Sequence, residues 1–236
     1  MATGAVWAAI RHRPAREGLT RGLLGGGVMS LGRQVAGTHR YGSGLAGREV
    51  SAVGIALTTS SGDSNTTVPV AVGPFTVILG RHTWDWRLNI TNAIETIVVY
   101  RSANTRLDLG LTLSAGAPVF RDRRRNLRIS TGTALGSEGA GVVLLARNAF
   151  ARYTGDAPAL YHESVHVLQE DYLNDAVALP MERGLLRRTS LGRRLALHFD
   201  VGLITPELYF LASPHIPYRS QPWEREAFAL SGTGRH

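Results

Sequence analysis

Two histidines four residues apart, with a glutamate after the first, form the strongest chemical pattern in this chain. They are His162-Glu163-Ser164-Val165-His166, inside "PALYHESVHVLQEDYL". Residues four apart lie on one face of an α-helix, so the two imidazoles can reach one point. This spacing suits two ligands of a single Zn²⁺, and a neighbouring carboxylate can accept a proton from an attacking water. The pattern predicts a zinc site with His162 and His166 as ligands and Glu163 as general base; the alternative is two ordinary histidines on an amphipathic helix.

A catalytic zinc ion takes three protein ligands and keeps one coordination position open. The sequence HExxHxxGxxH would supply the third ligand from the same segment. Here Gln169 stands at the position of its glycine and Tyr172 at the position of its last histidine. The third ligand is therefore expected from another part of the chain.

The segment "PWEREAFAL" supplies two candidate glutamates near the C-terminal end of the sequence. If Pro222 is the first helical residue, one helix face carries Trp223, Glu226, Ala227 and Leu230. A carboxylate on an apolar face is costly unless it is paired or bound to a cation. Glu226 is thus predicted as the third ligand, whereas Glu224 in the first turn is explained by a favourable interaction with the helix dipole.

Hydrolysis of a peptide also needs polar groups around the metal. Gln169 shares a helix face with the two histidines; it either orders the site or is an ordinary solvated polar residue. A donor that stabilises the transition state is required as well. The pattern leaves five candidates open for that role: His198, Tyr209, His215, Tyr218 and Arg225.

The pair of segments "HESVHVLQ" and "PWEREA" resembles the bacterial gluzincin-type metallopeptidases that carry HExxHxxQ followed by an ExEA-like sequence. The resemblance covers roughly residues 140 to 230. It implies a zincin-like HExxH helix, a bound Zn²⁺, a peptide or protein substrate, His162, His166 and Glu226 as ligands and Glu163 as general base. Better-known gluzincins place an Asp four residues after the glutamate ligand, where this chain has Leu230, so the group that orients an imidazole must come from elsewhere.

Elements that position these residues are expected to form an α+β fold. Residues 1–44 are predicted to be a Gly-rich helical segment, 45–153 a mainly antiparallel β-rich region, and 154–236 a helical region that packs on it. The HExxH helix is expected from Pro158 to about Asn174, with its apolar face against the β region. The predicted strands include "EVSAVGIALTT", "TTVPVAVGPFTVILG", "DWRLNIT", "ETIVVYR", "TRLDLGLTLSAG", "NLRISTGTALG" and "GAGVVLLARNAFARY".

Composition narrows the classes of partner. All 26 basic residues are Arg, the formal net charge is +8, and these residues are spread from Arg11 to Arg235. Spread charge without aromatic recognition motifs argues against a nucleic-acid partner. Cysteine is absent, which excludes disulfides and thiolate-bound zinc. No apolar run is long enough for a spanning helix and no secretion signal is evident. Contact of the Gly-rich N-terminal stretch with a membrane or envelope surface, the compartment and the oligomeric state stay open.

The sequence therefore predicts a zinc-dependent, metallopeptidase-like hydrolase. The alternative is a non-enzymatic, β-rich envelope-associated or binding protein whose metal site is structural or vestigial.

Overall fold

A computed structural model gives an α+β fold for this chain. It describes residues 14–59, 68–80, 83–102, 104–122, 127–129, 132–134, 136–139, 142–145, 158–175, 188–200 and 216–232. Within these ranges strands lie mainly in the N-terminal half, and the C-terminal part is mainly helical. The predicted fold class is confirmed, and the division into segments at residues 44 and 153 stays a prediction. Among the described residues, no helix is both long and apolar enough to cross a bilayer.

The described chain begins with a tightly packed helical hairpin, α1 (Ala15–Ala36) and α2 (Ser43–Thr59). Glycines let the two backbones touch. A Cβ added to Gly32 would lie 2.6 Å from the carbonyl oxygen of Gly47. The predicted strand over "EVSAVGIALTT" is wrong, because Ala52, Ile55 and Ala56 are buried at helical spacing. The glycine of this segment serves close helix–helix packing.

A first sheet has the strand order β1-β2-β3-β10. Its members are β1 (Val68–Val72), β2 (Phe75–Leu79), β3 (Trp84–Asn89) and β10 (Phe199–Asp200). The first three pair antiparallel, and β10 pairs parallel to β3. Gly73 sits in the turn between β1 and β2 with φ of 58°, a conformation that glycine adopts without strain. The strand prediction for "TTVPVAVGPFTVILG" is confirmed for 68–72 and 75–79, and residues 73–74 form the turn between them.

A second sheet has the order β4-β5-β9-β8. These strands are β4 (Thr105–Leu107), β5 (Val119–Asp122), β9 (Val142–Leu145) and β8 (Gly136–Gly139). Strand β9 pairs parallel to β5, and the outer pairs are antiparallel. A separate antiparallel pair is formed by β6 (Leu127–Ile129) and β7 (Gly132–Ala134).

Two segments predicted as strands contain helices. "ETIVVYR" lies in α3 (Ile90–Arg101), and most of "TRLDLGLTLSAG" forms α4 (Leu109–Ala115) after the short strand β4. Capping explains both. The Asn89 side chain accepts from the Asn92 backbone N–H, and the Asp108 side chain accepts from that of Leu111. These caps satisfy amide groups that a strand would have used in a ladder.

The C-terminal part contains α5 (Pro158–Leu173), α6 (Ser190–His198) and α7 (Pro222–Ser231), with a 3₁₀ turn, Tyr218–Ser220, before α7. Helix α5 begins at Pro158 and ends within one residue of the predicted end. Every side chain from residue 159 to residue 169 is buried. A core of α4, β5, β9 and α5 holds it against the second sheet: Ala115, Ala117, Val119, Val143, Leu145, Ala159, Leu160 and Val167. Helix α5 is the central element of the fold, and the predicted packing of the helical part on the β part is confirmed.

Candidate metal centre

Helix α5 brings the two imidazoles together as the four-residue spacing predicts. The side chains of His162 and His166 are 5% and 6% exposed, and their Nε2 atoms lie 3.1 Å apart. The ring centroids are 4.7 Å apart with an interplanar angle of 84°. Both rings therefore present the same type of nitrogen to one buried point.

The third group of the cluster is the Glu224 carboxylate, in the first turn of α7. Its Oε2 lies 3.2 Å from Nε2 of His162, and its Oε1 lies 3.4 Å from Nε2 of His166. Tetrahedral zinc with bonds of about 2.0–2.1 Å holds its ligand atoms about 3.3 Å apart. The two Nε2 atoms are 3.1 Å apart, close to that edge length, and each contacts a different oxygen of Glu224. Within the described parts of the chain this is the one group of three such side chains close enough to hold a metal ion, with one ligand atom from each residue within 4.8 Å of the others.

The expectation for the third ligand is corrected from Glu226 to Glu224. Glu226 accepts a hydrogen bond from Arg33 Nε at 2.8 Å and is paired with that guanidinium. The physical premise was sound, because a carboxylate on this helix face does require a cation. The cation is an arginine of α1, and the face of α7 turned toward the two imidazoles is rotated from the predicted one by one residue, about 100°. That face carries Glu224, Ala227, Phe228 and Ser231.

Gln169 sets the orientation of His166. Its Nε2 donates to Glu226 Oε2 at 2.9 Å and to the Trp223 carbonyl oxygen at 3.2 Å. With the amide nitrogen engaged by two acceptors, Oε1 is left to accept from Nδ1 of His166 at 2.8 Å. A proton on Nδ1 leaves the Nε2 lone pair free to bind a metal.

These contacts form a continuous chain from Arg33 through Glu226 and Gln169 to His166. Ion pair and hydrogen bonds join α1, α7 and α5 over 193 residues of sequence between Arg33 and Glu226. The chain supplies the orienting group that Leu230 does not provide. Glu226, the predicted ligand, is thus a partner of Gln169, and Gln169 in turn orients the imidazole of His166.

Glu163 is buried next to the cluster on the same helix. Burial is the largest effect and raises the pKa of its carboxyl, the neighbouring imidazoles oppose that shift, and Glu224 adds to it. At His166, burial alone would lower the pKa of the ring. The hydrogen bond with Glu224 and the charges of Glu163 and Glu224 outweigh burial and raise it. Two acidic groups and two imidazoles therefore share one enclosed volume, a setting that a divalent cation would neutralise.

An aromatic ring and a guanidinium flank the cluster on the α7 side. The centroid of the Phe228 ring lies 4.5 Å from that of His162, and the Arg219 guanidinium carbon lies 5.7 Å from the Phe228 centroid. Neither residue was singled out from the sequence. Phe228 follows Glu224 by one helical turn, so a sequence analysis that chose Glu224 would also have placed Phe228 beside the site.

The five candidate donors remain unassigned. Tyr209 and His215 lie outside the described residues, and Tyr218 begins the 3₁₀ turn before α7. Arg225 is exposed. His198 stacks on Trp86 with ring centroids 4.8 Å apart and approaches Asp85 at 3.4 Å, so its ring is engaged at the first sheet.

Comparison with protein-family models, curated proteins and solved structures gave no match to this chain. The gluzincin resemblance therefore rests on the two sequence segments. The geometry adds a buried His162-His166-Glu224 group that is close enough to bind a metal ion.

Proposed function

We propose that this protein is a zinc-dependent hydrolase of the gluzincin type that cleaves peptide bonds, with His162, His166 and Glu224 as its metal ligands. The observation that carries the proposal is that two helices bring one ligand atom each from His162, His166 and Glu224 within 4.8 Å of one another. Two neutral imidazoles and one carboxylate form the ligand set that zinc peptidases use. The residue spacing HExxH and the separate helix with the glutamate support the same class.

Bound zinc would supply Lewis-acid polarisation of a carbonyl group and would favour ionisation of a water molecule. The chain's own residues have distinct tasks around it. Glu163 follows a ligand directly on α5 and is placed to take a proton from the attacking water and return it to the leaving amine. Gln169 keeps the His166 ring in the metal-binding orientation, and Phe228 limits the access of bulk water to His162.

A structural metal site is the second candidate, and the burial of the cluster favours it. All three ligand side chains are less than 10% exposed, and they join α5 to α7. A closed site of this kind stabilises a fold by linking helices and performs no chemistry. In that case the protein would be the non-enzymatic β-rich protein of the alternative prediction.

Zinc content and peptide hydrolysis measured on the same preparation test the proposal. We expect one zinc ion per chain and cleavage of a fluorogenic peptide mixture that stops when a chelator is added. Glu163→Gln should keep the zinc and lower the rate about a thousandfold, since a general base contributes two to four orders of magnitude. His162→Ala should lose both zinc and activity.

The outcomes separate the two candidates. Stoichiometric zinc without hydrolysis, together with unfolding on chelation, identifies a structural site. Full activity of Glu163→Gln contradicts the catalytic role of this carboxylate. A wild-type protein that binds no zinc overturns both candidates.

A further inference from the structure

A second polar cleft lies at the C-terminal end of α5, on the side away from α7. Asp171 and Asp175 of α5 are among the residues that line it. Asp171 and Asp175 follow His166 by five and nine residues, which places them roughly 140° and 180° around the helix from it. The cleft and the metal centre therefore occupy opposite faces of one helix. Its other walls come from α2, the β1–β2 turn, the start of α3 and β10.

The arginine in the cleft is fully engaged. Arg48 donates from Nε to Asp171 Oδ2 at 2.6 Å and from Nη2 to Asp171 Oδ1 at 2.8 Å. Its Nη1 also donates to the carbonyl oxygen of Gly116. The bidentate ion pair of Arg48 and Asp171 leaves this side of the cleft without net charge. Arg48 has little capacity left to bind an anionic ligand.

Two further carboxylates give the cleft an acidic balance. Asp175 and Asp200 both line it, and Asp200 is 6% exposed. Arg87 is the other cation within electrostatic reach of Asp175. Three carboxylates thus face two guanidinium groups. Burial, followed by the charges of Asp171 and Asp200, raises the pKa of Asp175 to about 7. This surplus of acceptors suits a single positive charge on a ligand.

Ser51 is the independent observation that points to a ligand. It lines the cleft, it is 1% exposed, and its Oγ has no hydrogen-bond partner among the residues that the structure describes. Buried hydroxyl groups are normally hydrogen-bonded, because the loss of hydration is otherwise uncompensated. A donor on a bound molecule would satisfy this oxygen together with the Asp175 carboxylate.

We propose that this cleft binds a primary ammonium group carried on a short aliphatic stem. An ammonium group offers three donors to acceptors from several directions, as Ser51, Asp175 and the neighbouring side-chain amides require. Apolar walls formed by Ala52, Ile55, Pro69 and Pro74 suit the methylene stem. A divalent cation fits less well, since the cleft does not bring three carboxylates to one point as the metal centre does with its ligands. This site does not depend on the proposed hydrolase activity.

Titration of the intact protein with n-butylammonium chloride at about pH 8, followed by NMR or calorimetry, tests the proposal. At that pH Asp175 is ionised. We expect saturable binding with a dissociation constant of about 1 mM. Uncharged n-butanol should not bind saturably. Asp175→Asn should weaken binding at least about tenfold, and Ser51→Ala about threefold to tenfold, because each removes an acceptor of the ammonium group.

Asp85→Asn is the matched control, because it makes the same substitution at a half-buried position of β3 paired with His198. This variant should bind n-butylammonium as the wild type does. Absence of saturation by the wild type, equal affinity in Asp175→Asn, or equal binding of n-butanol would each overturn the proposal. Displacement of n-butylammonium by Mg²⁺ or Ca²⁺ at equal concentration would also overturn it, in favour of a metal site. Asp175→Asn is expected to fold, since it removes a carboxylate from an unfavourable environment.

Discussion

Glu224 and Glu226 are the same residue type two positions apart, yet they have different partners. Glu224 meets two imidazoles of α5, and Glu226 meets a guanidinium of α1. Glu226 is paired with the positive charge of Arg33, and Glu224 is in contact with the ring nitrogens of His162 and His166. The rotation of α7 about its axis thus decides which of the two glutamates joins the His162-His166 pair.

The first prediction compares Glu224→Gln with Glu226→Gln. We expect Glu224→Gln to lower zinc affinity at least about a thousandfold, because it removes a negatively charged ligand. Glu226→Gln should cost about tenfold, since it acts through Gln169. Competition with a chromophoric chelator measures both. A larger loss in Glu226→Gln would return the ligand role to Glu226.

The second prediction concerns Gln169. Gln169→Ala removes the acceptor of the His166 Nδ1 proton and should lower zinc affinity about 10- to 100-fold. The overall fold should be retained, with an unchanged far-UV CD spectrum. Glu170→Ala, next to it on α5, is the matched control and should bind zinc like the wild type. Equal affinities in the two variants would mean that Gln169 does not position the ring.

The residues of the centre that lie on α5 could be predicted from the sequence, whereas Glu224 on α7 could not. His162, Glu163, His166 and Gln169 share a single helix, so the helical period alone relates their side chains. Glu224 comes from another helix, and its role depends on how α7 docks between α1 and α5. Ala227 lies on both candidate faces of α7, so the small-residue pattern did not distinguish them.

The helices α1 and α2 show what glycine does at the scale of elements. Gly25, Gly32, Gly47 and Gly54 lie where the two backbones come closest, and a Cβ at each would meet backbone atoms at 2.4–2.6 Å. Such packing is specific to the helical state. When only the sequence is considered, a composition rich in glycine indicates strands and turns. This explains why residues 49–59 were predicted incorrectly as a strand.

The third prediction tests this packing with two substitutions in α1. Gly32→Ala should destabilise the protein by about 3 kcal/mol or more, since the methyl group collides with the Gly47 backbone. Gly26→Ala is the matched control. A Cβ there meets nothing within 4 Å, so it should stabilise the protein by about 0.5–1 kcal/mol through helix propensity. Urea unfolding measures both, and a neutral Gly32→Ala would contradict the close approach.

Hairpins and buried helices were easier to predict than capped helices. The β1–β2 hairpin has a clear turn signal, and α5 has Pro158 at its start and a continuous pattern. Helix α4 has alternating apolar residues at Leu109, Leu111 and Leu113, and α3 contains the short apolar run Ile97–Tyr100; both patterns suit a strand equally well. The side-chain caps at Asn89 and Asp108 favour the helical conformation, and the spacing of apolar residues gives no information about these caps.

At the scale of the whole molecule, buried acids link folding to pH. Asp175 has a pKa raised to about 7, and the pKa values of Glu163 and Glu49 are raised in the same direction by burial. A carboxyl with a raised pKa holds its proton more tightly in the folded state. Its contribution to stability is therefore lost as pH rises from about 4 towards 7.

The fourth prediction isolates Asp175 from the other acids. Asp175→Asn removes the penalty of ionising this carboxyl, so its free energy of unfolding should exceed that of the wild type at pH 8 by on the order of 3 kcal/mol. The difference should shrink at pH 5. Urea unfolding of both proteins at the same zinc concentration measures it. A difference independent of pH would show that Asp175 ionises normally.

The ion pair between Arg33 and Glu226 has a consequence for how the protein is made. A ribosome releases α1 and the two histidines before α7 exists, so the growing chain holds an incomplete set of donor atoms. In the proposed metal site, capture of a cation would follow docking of α7, and Arg33 on the earlier helix α1 offers a partner for that docking. Loading with metal would thus report that the chain has folded around α5, and a truncated product would stay empty.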